Sequence, residues 1–153
     1  PSIGTQPPLL RENRLYQTDW LMRFYKFDVN EILNHQNPHL DTDIDPKLSY
    51  ALRNLHLYPI DINMADYRMI LRIPGIGVQS AKKIVAARKF GKIYSYQIKR
   101  LGIAYNRAKF FMTCADDTYS QKDYLPTQIK SLILNTSKSK YLKNQPNQLN
   151  LFE

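Results

Sequence analysis

Cysteine is almost absent from this chain. Cys114 is the only one in 153 residues, which excludes an internal disulfide and any metal site built on clustered thiolates. No apolar run reaches the roughly 20 residues that a membrane-spanning helix needs, and no signal-peptide pattern opens the sequence. A cytoplasmic protein with no membrane partner is therefore expected. The three histidines give no metal site either: His35 and His39 are four apart, but Pro38 between them breaks the helix that would align them. The acidic run from Asp41 to Asp45 lacks the glycine and glutamate of a calcium loop, since Pro46 and Leu52 stand in those places. The opening PSIGTQPPLL has no Met and is rich in proline, which points to a fragment of something longer.

Acids are missing from the middle of the chain as well. None occurs between Asp66 and Asp116, and residues 64–113 carry eleven Lys or Arg against Asp66 alone. The net charge of +9 is thus concentrated in one stretch, the electrostatic footprint of a phosphate-backbone binder. Glycine is scarce too, with five in all, yet two of them lie in Pro74-Gly75-Ile76-Gly77 at the centre of that stretch. Asn63 is a good N-cap, and Tyr67, Ile70 and Leu71 follow helical spacing, so a first helix is predicted to run to about Ile73. Pro74 ends it, and Gly75 supplies a positive φ. A second helix is predicted from Val78, with Val78, Ala81, Ile84 and Val85 on one side and Lys82, Lys83 and Lys89 away from them. The start of that helix offers unpaired amides and the positive end of a dipole, and Gly77 leaves room for a bulky anion. Ile76 reads as a plug between the two helices, and a nucleic-acid phosphate is the natural ligand.

This stretch closely resembles the helix-hairpin-helix motif. The resemblance implies contact with a DNA phosphate through the amides near Gly75, Gly77, Val78 and Gln79, without sequence readout. It also implies a monovalent cation held by hairpin carbonyls. A second, weaker copy follows 27 residues later, with Gly102 on Gly75, Ala104 on Gly77 and Lys109 on Lys82. Ser95 is expected to cap its first helix, and its second helix is expected over about Tyr105 to Thr113. The expected DNA-binding set is Gly75, Ile76, Gly77, Val78, Gln79, Ser80, Lys82 and Lys83 from the first hairpin, with Gly102, Arg107 and Lys109 from the second.

Upstream, residues 11–27 read as a helix whose Tyr16, Trp20, Leu21, Phe24 and Phe27 form an aromatic stripe, taken as core packing. Asp28 with Glu31 forms a capping box, and Asp45-Pro46 starts a helix reaching about Asn54. Downstream, a short helix is expected over Thr127–Leu134. The polar segment 135–147 reads as a flexible linker. It ends in Gln148-Leu149-Asn150-Leu151-Phe152, which resembles the bacterial sliding-clamp binding motif. By that resemblance Gln148 anchors by hydrogen bonding, and Leu149, Leu151 and Phe152 are presented to an apolar groove.

The predicted fold is all-α: a tandem, pseudo-duplicated helix-hairpin-helix domain at 61–113. An N-terminal helical subdomain occupies 1–60, a docking segment 114–134 and a flexible tail 135–153. The blocks PPLLRENRLYQTDWLMRFYKF, DIDPKLSYALR, the hairpin and LGIAYNRAKFFMTC together resemble the C-terminal part of the DNA modification and repair radical-SAM proteins, encoded beside a uracil-DNA-glycosylase-like partner. The family's [4Fe-4S] cluster and S-adenosylmethionine belong to an N-terminal Cys-x3-Cys-x2-Cys domain, and this chain has no such triad. The chain is expected to be the non-enzymatic DNA-docking module of such a protein, in the bacterial cytoplasm at the nucleoid. Two other readings stand beside it: a helix-hairpin-helix glycosylase or lyase, and a protein-interaction adaptor that recruits the clamp.

Overall fold

A computed structural model describes residues 8–36, 40, 43–116 and 124–137. The described fold is all-α apart from one short strand pairing. Helices α1 (Pro8–Phe24), α2 (Val29–Ile32) and α3 (Pro46–Arg53) precede strand β1 (Ile60–Asp61). Helices α4 (Tyr67–Ile70), α5 (Val78–Ala87) and α6 (Tyr105–Ala108) follow, then strand β2 (Met112–Thr113). A last helix, α7, covers 126–137. The two strands run parallel, Ile60 opposite Met112 and Asp61 opposite Thr113, so the chain enters and leaves the hairpin region side by side.

The main core gathers around Ile76, the residue between the two hairpin glycines, which is buried with Ile70, Leu71, Ile73, Ala81, Ile84, Ile103 and Phe111. Leu48 of α3 and Ile129 and Ile133 of α7 join the same cluster. Burial of side chains this size contributes roughly 1.5–3 kcal/mol each. A smaller cluster of Leu21, Phe27, Ile32 and Tyr50 fastens α1 and α2 to α3.

Arg72 joins the two parts. The residue is 4% exposed, and its guanidinium lies 4.6 Å from the Phe27 ring centre and donates to both Glu31 carboxylate oxygens at 2.7 Å. Although burial works the other way, these bonds and the Arg72 charge hold the Glu31 carboxyl below its usual range. Glu31 also accepts from the Asp28 amide at 2.8 Å, so the capping box at α2 is present.

Asp45 caps α3 with Pro46 in its first turn, its carboxylate accepting from the Leu48 amide at 2.8 Å. Several expectations need correction. Helix α1 lies three residues earlier than read, and its aromatic stripe is only partly core. Leu21 and Phe27 are buried, but Tyr16, Trp20 and Phe24 are exposed, because α1 meets α3 along a narrow seam. The first hairpin helix is capped by Asp66, which accepts from the Met69 amide, and it ends at Ile70. Asn63 instead reaches across the fold: its amide side chain donates to the Ile93 carbonyl and accepts from the Ile93 amide. In the second copy, Tyr94 precedes a single 3-10 turn at Ser95–Gln97, and Ser95 bonds Asp116. Helix α6 stops at Ala108, since the chain must straighten to pair as β2.

Candidate nucleic-acid interface

Pro74 cannot extend α4, and the backbone turns through Gly75 at φ +92°. The Ile76 amide closes the turn on the Ile73 carbonyl at 3.2 Å. Gly77 then takes an extended conformation, φ −87° and ψ 176°, as the N-cap of α5, and its carbonyl accepts the first helical bond from Ala81. No side chain of Gly77 can cap the helix, so the amides of Val78, Gln79 and Ser80 have no acceptor inside it. The Tyr25 hydroxyl lies beside this helix start. Burial raises the pKa of that phenol, with the Val78 backbone offsetting part of the effect.

The two hairpin glycines have different surroundings. A Cβ on Gly75 would lie 2.7 Å from the Ala104 carbonyl oxygen and 3.1 Å from the Ala108 Cβ. The Gly75 carbonyl also accepts from the Ala104 amide at 2.9 Å. Gly102, at φ +77°, reciprocates by packing on the Ser80 hydroxyl. The two hairpins therefore clasp each other glycine to helix, as a duplicated pair would. Around Gly77 the nearest atom to a new Cβ is the Tyr25 hydroxyl oxygen at 3.6 Å, an ordinary contact distance.

The basic residues divide into two groups. Arg72 is used by Glu31, Arg88 donates to the Ile62 and Ala65 carbonyls, and Arg107 pairs with Asp45. Lys109 is half-buried, with its ammonium 5.3 Å from the Phe110 ring centre. Lys82 and Lys83 are exposed on α5 just after the open amides, and Arg68, Lys89, Lys92, Lys99 and Arg100 are exposed elsewhere in the same half. Of the expected set, Gly77, Val78, Gln79, Lys82 and Lys83 are at least partly exposed around the start of α5, whereas Ile76 and Ser80 are buried and Gly75 packs against the second hairpin. The structure commits Arg107 to an internal ion pair. The clamp-like residues Gln148, Leu149, Leu151 and Phe152 lie outside the described residues.

Lys47 was not expected at this site. It is buried, with its Nζ donating to the Ile76 carbonyl at 2.5 Å and lying 4.6 Å from the centre of the Tyr25 ring. A lysine in the first turn of α3 opposes the helix dipole, and that misfit was the signal in the sequence. The Ile76 carbonyl does not fit a further cation, because the Lys47 Nζ already occupies the place beside it. Among the described residues no group of His, Cys, Asp or Glu could hold a metal ion.

Burial holds the Lys47 pKa down to about 7; Arg107 adds to the effect and Asp45 opposes it. An unfolded lysine titrates near 10.4, so between about pH 7 and 10 the unfolded chain binds more protons and stability rises with pH. Lys47→Met should remove that component. Thermal melts from pH 6 to 10 should show wild type gaining on the variant as pH rises, and parallel curves would contradict the assignment.

Residues 58–101 match the family model described as a helix-hairpin-helix motif. The match covers the first hairpin and ends one residue before Gly102, at the turn of the second. No curated protein and no solved structure matches the chain.

Proposed function

From a helix-hairpin-helix motif whose second helix starts without a side-chain cap, we propose that the chain binds DNA through its phosphate backbone and does not read sequence. The observation that carries this is the start of α5, where Gly77 gives the first amides no side-chain cap and Gln79, Lys82 and Lys83 are exposed. Motifs of this kind commonly serve that purpose. No helix among the described residues is long and apolar enough to cross a membrane.

The resemblance of the ordered sequence blocks to radical-SAM DNA modification proteins supports a narrower role. On that reading the chain docks a separate cluster-bearing domain on DNA, with a uracil-DNA-glycosylase-like partner and the sliding clamp as further attachments. Tethering at the clamp-like tail would raise the local concentration. A binding role also suits the side chains beside the hairpin better than catalysis does. Asp45 is taken up by the Leu48 amide and Arg107, and Lys47 faces a carbonyl, so neither is presented as a base or nucleophile.

Salt tests the phosphate reading. With four phosphate contacts, duplex affinity should fall about a hundredfold between 50 and 200 mM salt. Substituting Lys82 and Lys83 with Gln should reduce the log–log slope by about two. Fluorescence anisotropy of labelled duplexes of unrelated sequence measures both. Binding that ignores salt would reject the mechanism, and absence of binding at low salt would favour a protein-binding role for the hairpins.

A further inference from the structure

Beside the hairpin, between it and α1, lies a pocket of about 360 Å3, within the range of small-ligand sites. One wall is aromatic. Tyr16 and Trp20, one helical turn apart on α1, line it and remain 68% and 46% exposed. The Trp20 ring is backed by Phe24 at a centroid distance of 4.4 Å, which sets the indole before any ligand arrives. The opposite wall is the hairpin itself, Gly75 to Gly77, with Lys47 and Arg107 beside Asp45. On that wall Arg107 and Asp45 form an ion pair.

A flat π-surface facing a phosphate-type hairpin across one hollow defines its ligand by chemistry. The ligand must present an aromatic face to Trp20 inside the pocket and carry a phosphate that reaches past Gly77, at its edge, to the start of α5. A base paired inside a duplex is sandwiched by its neighbours and cannot do this. We propose that the pocket takes an unpaired nucleobase from the strand whose phosphate sits at the start of α5, a reading that rests on the phosphate contact proposed above. Stacking needs only the π-face that every base has, so the pocket selects unpaired DNA without selecting sequence.

The test uses the full chain with three labelled DNAs: a fully paired duplex, the same duplex with one bulged thymine, and the matching single strand. Anisotropy gives affinity, and the emission of Trp20, the only tryptophan in the chain, reports stacking directly. Because a base stacked on an aromatic adds to the backbone contact, bulged or single-stranded DNA should bind roughly tenfold tighter than the paired duplex. Trp20 should be quenched by those two ligands and not by the paired duplex. Trp20→Ala should abolish the preference, and Trp20→Phe should retain most of it. Should Trp20→Ala fail to fold, Tyr16→Ala gives the same comparison from a more exposed position. The bulged and single-stranded arms separate an extrahelical base from a strand end as the source.

Equal affinities with unquenched Trp20 would overturn the pocket. If duplex binding then stays salt-sensitive and is lost in Gly77→Leu, the phosphate contact stands and only the pocket falls. If none of the three DNAs binds, both are rejected together.

Discussion

Gly77→Leu is expected to fold normally and to lose most of its affinity for duplex DNA. At φ −87° and ψ 176° the residue lies in backbone space open to any amino acid, and the nearest atom to a new Cβ is 3.6 Å away. Replacing glycine at an N-cap costs up to about 1 kcal/mol, too little to unfold a domain of this size. The side chain would, however, extend over the open amides where a phosphate must approach. A hydrogen bond to a charged group contributes about 1.5–3 kcal/mol, so losing one or two should weaken binding by ten- to a hundredfold or more. Circular dichroism and anisotropy on the same sample would settle it. Unchanged affinity in a folded variant would remove the α5 start from the interface.

Gly75→Ala, two residues earlier, should do the reverse and damage the fold. The left-handed φ of +92° strains any side-chain-bearing residue, and the added methyl meets a backbone carbonyl at 2.7 Å. Left-handed strain contributes roughly 1–2 kcal/mol and overpacking roughly 1–3 kcal/mol. With about 2–4 °C lost per kcal/mol in a chain of this length, the melting temperature should drop by roughly 5–15 °C. A melting temperature within 2 °C of wild type would mean that the two hairpins are not clasped as described. Substituting both glycines at once would mix these effects, so loss of binding in a double variant says nothing about phosphate contact. The single variants separate them.

The hairpin was readable in the sequence because its signals are local. Pro74 keeps the turn non-helical, Gly75 reverses the chain, and the apolar spacing after Gly77 starts the next helix. Asp45 with Pro46 was readable for the same reason. What escaped depends on partners distant in sequence. Arg72, Arg88 and Arg107 look like any other basic residue, yet Glu31, two backbone carbonyls and Asp45 use them internally. Counting charge by segment therefore overstates the positive surface. Asn63 has the composition of a cap, but two bonds to Ile93 across thirty residues hold it elsewhere. Periodicity placed Tyr16, Trp20 and Phe24 on one side of α1 without showing how little of that side would be covered. Lys47 and Tyr25 reach the hairpin from α3 and the end of α1, a convergence no local pattern records.

The pairing of Ile60 and Asp61 with Met112 and Thr113 has a further consequence. Because these strands are parallel neighbours, the chain returns after residues 62–111 beside its point of entry and running in the same direction. The hairpin pair is nevertheless no free-standing insert: Leu48 and Ile129 complete its core, and Glu31 and Asp45 pair with its Arg72 and Arg107. Moving residues 62–111 to another host would strip that shared core and separate Arg72 from its carboxylate, so the arms must travel with the hairpins.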